Sequence, residues 1–237
     1  MKNKKKNGEK TSQTSNGEEW EKRRVKRIYM SMLNQFKIPK RFSDKGFSNF
    51  EVNDKNKEYH SKVMNYATNF PEHYKNGDWL VLSGTYGLGK THLALAVGRH
   101  VLKFFAKKNA EKNHGTLYTG MSKVFFLSSS EMIQNIRDSY DSSDLDERTL
   151  MNKYKNTELL IIDDLGTEKA SEWQQEKLYM VLDHRYRELK PTIITTNLSA
   201  DELREHISER LYERMIETTR QGELLVFFEG KSYRKEG

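Results

Sequence analysis

The sequence contains no cysteine, so neither a disulfide framework nor a cysteine-ligated zinc site is available to its fold. No apolar run approaches the length of a membrane span. The strongest, Leu159-Leu160-Ile161-Ile162, has the length of a buried strand. The opening MKNKKKNGEK is basic yet lacks the apolar stretch and small-residue cleavage site of a secretory leader. These absences point to a soluble, cytoplasmic chain without membrane contact. Acidic residues are outnumbered: 41 Lys and Arg stand against 34 Asp and Glu, a formal charge of +7, which favours a polyanionic partner.

What is present suits one α/β domain with appended sequence, since 237 residues can bury a sizeable core. Residues 1–19 are Lys, Asn, Ser, Thr, Gly and Glu with almost nothing apolar, the composition of a disordered basic tail. Residues 20–72 read as a helical, partner-binding segment and linker. In it WEKRRVKRIYMSMLNQF carries apolar residues at helical spacing on a basic background. Pro39 and the polar RFSDKGFSNF break that helix, and a second helix over 56–70 ends before Pro71. From residue 73 to 237 strands alternate with helices as in a parallel sheet, with strands expected at 79–83, 123–127, 158–163, 192–196 and 223–228. Helices are expected at 90–106, 130–140 and 171–189, with a broken pair across 200–219.

Gly84-Thr85-Tyr86-Gly87-Leu88-Gly89-Lys90-Thr91-His92 follows the first of those strands and opens the next helix. It fits the P-loop pattern, in which glycines turn backbone N–H groups inward and the helix start adds its positive end. Lys90 would reach the β- and γ-phosphates of ATP and the Thr91 hydroxyl would ligate magnesium. LLIIDDLG ends a buried strand with Asp163, placed to hold magnesium through water, and Asp164, placed to orient an attacking water. Asp164 is one methylene shorter than the glutamate common there, so slow hydrolysis is expected. TIITTN ends in Asn197, whose amide can donate to a γ-phosphate and accept from water.

The runs GTYGLGKTHLALAV, LLIIDDLGTEKASEW, TIITTNLS and ISERLYERM…SYR together resemble the DnaC/DnaI-type helicase loaders, an AAA+ ATPase family with the IstB-type transposition helpers as close relatives. The upstream IPKRFSDKGFSNFEV is similar to the segment preceding the ATPase core in that family. The resemblance implies a P-loop NTPase (AAA+) three-layer sandwich, with a five-stranded parallel sheet, a short or missing helical lid and a helical N-terminal segment. It implies that ATP and Mg²⁺ drive self-association, and that Arg214 is an arginine finger reaching a neighbour's nucleotide. Arg210 would support the same interface and Arg234 would be a second sensor. It implies a hexameric replicative helicase and single-stranded DNA as partners, with Lys123, Phe125, Arg137 and Tyr140 as DNA contacts. Some loaders carry a metal-binding N-terminal domain. This chain has no cysteine and only His60 before the core, so that feature is not expected.

The basic N-terminal helix fits a protein partner, DNA phosphates or an anionic surface. By analogy with the loaders, Val25, Ile28, Met32, Leu33 and Phe36 would dock the helicase. The function expected is ATP-dependent loading of the helicase. The alternatives are an ATPase assisting a transposase on double-stranded DNA, or a nucleotide-dependent adaptor with little hydrolysis.

Overall fold

The computed structural model describes residues 8–112, 122–140, 146–166 and 171–230, with side chains from residue 19 onward. Helix α1 (Gly8–Gln35) leads through two short 3-10 turns, Lys40–Phe42 and Phe47–Asn49, to α2 (Lys57–Thr68) and α3 (Phe70–Asn76). Then come β1 (Leu80–Gly84), α4 (Lys90–Lys112), β2 (Val124–Ser128), α5 (Ser129–Asp138), α6 (Glu147–Asn156) and β3 (Leu159–Leu165). The chain continues through α7 (Glu172–Arg187), β4 (Thr192–Thr196), α8 (Ala200–His206), α9 (Glu209–Thr218) and β5 (Leu225–Phe228). The strands form one sheet in the order β2-β3-β4-β1-β5, every neighbouring pair parallel.

Alternation along each strand divides the core into two layers. Leu80, Leu82, Leu159, Ile161 and Ile193 face the layer of α1, α2 and α4. Val81, Leu160, Ile162 and Ile194 face the layer of α5 to α9. Serines start four of the helices, Ser208 capping α9 through the Leu211 N–H. Ser128, Ser171 and Ser199 each accept from the N–H three residues on, while Glu131, Gln174 and Glu202 reach back in reciprocal capping boxes. The five strands lie within two residues of their expected positions.

Three local expectations give way. The N-terminal helix starts at Gly8, where a disordered tail is expected, because a helix anchored by packing further along propagates at little cost per residue. Pro71 does not merely end a helix: it sits in the first turn of α3, where its missing N–H costs nothing. Helix α6 has no counterpart in the sequence reading, although Asp146 caps it and Leu150, Met151 and Tyr154 form its buried stripe.

The largest correction concerns α1. Its apolar stripe is used inside the protein, with Ile28, Met32 and Phe36 buried in the core and Val25 and Leu33 packed against it. Helices α1 and α4 pack closely because Gly98 leaves room for the Phe36 ring; a Cβ there would lie 2.8 Å from it. These five side chains therefore do not form a helicase-docking face.

Candidate functional site

The P-loop leaves β1 at Gly84, where φ is 142° and an added Cβ would meet the Phe228 carbonyl oxygen at 2.3 Å, so only glycine fits beside β5. Gly89, at φ 90°, lies against the Phe50 ring. Lys90 opens α4 and is buried. Its Nζ donates to the carbonyls of Gly84 at 2.6 Å and Thr85 at 2.8 Å, and to Asn197 Oδ1 at 2.8 Å. Thr91 Oγ1 donates to Asp163 Oδ1 at 2.9 Å, placing two oxygen ligands of the kind magnesium takes side by side. Asn197 Nδ2 approaches Asp164 Oδ1 at 3.4 Å. Five residues expected from three separate motifs thus meet at the C-terminal end of the sheet.

Burial pushes the Asp163 carboxyl up to about 6, and the nearby charge of Asp164 adds to this; the hydroxyls of Thr195 and Thr91 and the Lys90 ammonium oppose it. A buried carboxylate of this kind gains from a divalent cation. The donor set, the buried lysine and the inward glycine turn all fit a magnesium-bound triphosphate.

These groups open into a cleft of about 630 Å³ whose opposite wall is the segment upstream of the core. Arg41, Phe42, Lys45, Asn49, Phe50 and Glu51 line it together with Tyr86 to His92, Asp164 and Asn197. His92 fixes that wall. Its Nε2 bonds to the Gly46 carbonyl at 2.8 Å and its ring meets Phe50 edge-on at 5.1 Å, while Phe50 stacks on His60. Burial lowers the pKa of His92. In the sequence alone the polar RFSDKGFSNF reads as a linker. The interleaved Phe and Lys/Arg of KRFSDKGFSNF were the signal that it lines a site.

A family model described as "IstB-like ATP binding protein" matches residues 15–236, nearly the whole chain. The chain belongs to this family. It is 27% identical over 175 residues to the replicative helicase loader DnaC of Escherichia coli K12, covering 73% of this chain and 62% of that protein. Identity to the replicative helicase loader DnaI of Bacillus subtilis is 27% over 171 residues, 70% of this chain and 49% of the relative. The chain thus spans between half and two thirds of the length of these curated relatives. Among solved structures, the DnaC helicase loader superimposes with a TM-score of 0.60 at 23% identity, over 80% of this chain and 98% of that one. DnaA bound to AMPPCP and single-stranded DNA gives 0.58 at 22% identity, over 79% of this chain and 50% of that one. These likenesses establish the AAA+ P-loop fold for this member of the IstB-like family.

Other expected residues of this family member separate into those the fold leaves outward and those it engages. Arg214 is engaged: it ion-pairs with Asp183 on α7, which also binds Arg187 at 2.8 Å, and its guanidinium lies 4.8 Å from the Tyr186 ring centre. Within the single chain the guanidinium is therefore held back against α7. The cause is a carboxylate from another helix, invisible to spacing along α9. Arg210, one turn earlier, is exposed beside Tyr179. Arg234 lies outside the described residues.

Of the DNA candidates, Lys123 pairs with Glu158 at 3.3 Å, in a cluster with Lys190 and Tyr74, and Phe125 is covered by the Lys153 ammonium 3.9 Å from its ring. Both are occupied within the chain. Arg137 and Tyr140 differ. They gather with Lys177 around Trp173, the Arg137 guanidinium 5.6 Å and the Tyr140 ring 6.2 Å from it, and Tyr140 is exposed. Met132 and Ile136 of the same helix are buried in the core. Trp173 and Lys177 were missed because α7 follows α5 by more than thirty residues and only folding brings the helices together.

Proposed function

We propose that the chain is an ATP-dependent loader that binds a hexameric replicative helicase and places it on single-stranded DNA. The observation that supports this best is the convergence of Lys90, Thr91, Asp163, Asp164 and Asn197 in one cleft, in a chain whose relatives are named replicative helicase loaders. Lys90 exchanges its carbonyl partners for the β- and γ-phosphates, and Asn197 carries that change to Asp164, which orients water for attack. Magnesium, held by Thr91 and Asp163, supplies neutralisation of phosphate charge when bound. Arg210, exposed where Arg214 is engaged, is the residue we assign to a neighbouring subunit's nucleotide. Nucleotide then acts as a switch that favours the assembled state.

For DNA we assign the Trp173, Tyr140 and Arg137 cluster, whose aromatic faces suit base stacking and whose guanidinium suits phosphate, with Lys177 held beneath it by Glu147 at 2.6 Å. A second contribution comes from α1. With its stripe turned inward, its outer face presents Lys22, Arg23, Lys26 and Arg27, a surface for phosphates.

The breadth of the family match favours one other reading, an ATPase that assists a transposase on double-stranded DNA. Co-purification with the replicative helicase of the same genome, with ATP and without nucleotide, tests the proposal. Nucleotide-dependent capture of the helicase is expected. Capture of a transposase in its place would overturn the loader reading and leave the ATPase reading standing.

A further inference from the structure

Strands β3 and β4 lose their register at the active end. Ile162 pairs with Ile194 and Leu165 with Thr196, so Asp163 and Asp164 together oppose Thr195 alone. This is a bulge, which interrupts the ladder and re-aims a side chain. Asp164 sits in it at φ 53°, a left-handed conformation that a non-glycine residue keeps only where its surroundings enforce it. Its backbone N–H, displaced from the ladder, donates to Thr195 Oγ1 at 3.0 Å. The same hydroxyl spends its one proton on Asp163 Oδ1 at 2.6 Å. Thr195 is fully buried, so no water substitutes for either bond.

We propose that Thr195 is a positioning residue for both carboxylates, donating to Asp163 and holding the Asp164 backbone in its bulge. The inference rests on the ATPase reading of the cleft. One hydroxyl serves two roles in that reading. It fixes the oxygen of Asp163 that Thr91 also reaches, and so sets the pair of ligands offered to magnesium. It also anchors the Asp164 N–H from β4, beside the bonds that Thr196 and Ser129 give to the Leu165 and Asp164 carbonyls, and so keeps the Asp164 carboxylate on the cleft side beside Asn197. A regular ladder would turn that carboxylate towards the opposite face of the sheet.

Thr195→Val keeps the branched shape and removes the hydroxyl; Thr195→Ser keeps the hydroxyl and removes a methyl. The readouts are the magnesium concentration giving half-maximal binding of a fluorescent ATP analogue, the turnover number, and the melting temperature. Thr195→Val is expected to need about tenfold or more magnesium, the loss seen when an outer partner of a metal ligand is removed. Its turnover should fall by more than its nucleotide affinity. Thr195→Ser should sit near wild type in both. A valine variant with wild-type magnesium dependence and turnover overturns the inference, as does a serine variant as impaired as valine, because that pattern reports packing. If Thr195→Val does not fold, Thr195→Ala against Thr195→Ser makes the same comparison. Wild-type protein that shows no magnesium-dependent nucleotide binding would remove the ATPase reading itself, an outcome distinct from a normal wild type beside a normal valine variant.

Discussion

Met32 and Met30 stand two residues apart on α1 and offer a direct test of where that helix belongs. Met32 is 0% exposed in the core and Met30 is 46% exposed. Truncating a fully buried methionine to alanine removes its transfer free energy and leaves a cavity, about 2–5 kcal/mol together. The same change on an exposed side chain stays within about 0.5 kcal/mol. For a domain of this size each kcal/mol moves the melting temperature by roughly 2–4 °C, so Met32→Ala should melt about 5–15 °C below wild type and Met30→Ala close to it. Urea unfolding followed by circular dichroism gives the free energies, and a thermal scan gives the midpoints. The same reasoning predicts the fate of a chain beginning at Pro39. It loses Ile28, Met32 and Phe36, each contributing about 1.5–3 kcal/mol by burial, a total comparable to the whole stability of a typical domain. Such a chain should bind ATP poorly because it is partly unfolded. Equal midpoints for the two methionine variants, or cooperative melting of the shortened chain within a few degrees of the full one, would refute the placement of α1.

Lys90→Ala should lower ATP affinity on the order of a hundredfold, since bonds from a charged group to phosphate each contribute about 1.5–3 kcal/mol; titration with labelled ATP reads it. Asp164→Asn should keep near wild-type ATP affinity while turnover falls on the order of a hundredfold, and normal turnover would move the water-orienting role elsewhere. Without divalent cation, stability should fall as pH rises from 3.8 to about 6, because Asp163 is protonated more readily folded than unfolded and is penalised once ionised. The penalty at pH 7 is about 3 kcal/mol, and Asp163→Asn should flatten that part of a urea-midpoint profile taken against pH. The double variant Lys26→Glu, Arg27→Glu should weaken single-stranded DNA binding and reduce its salt dependence in titrations at two salt concentrations, leaving the melting temperature and ATP affinity unchanged.

The sequence by itself determined the sheet and most of the cleft. A strand, a glycine turn and a helix in succession at 80–112 admit few other uses, and runs such as LLIIDD and TIITTN combine burial on both faces with a polar terminus. Such signals are local, because the P-loop, Asp163, Asp164 and Asn197 each lie within one element or at its end. Tertiary structure alone decided what each surface faces. Helical periodicity showed that α1 has an apolar stripe but carried no information on whether that stripe meets a partner or, through Gly98, its own core. Spacing along α9 offered Arg214 the glutamates of its own helix, whereas its partner is Asp183 across the helix pair. Residues 41–51 became the far wall of the cleft only when His92 tied the Gly46 carbonyl to α4. The bulge that sets two aspartates against one threonine depends on the register between β3 and β4, a relation between segments thirty residues apart that neither segment encodes alone.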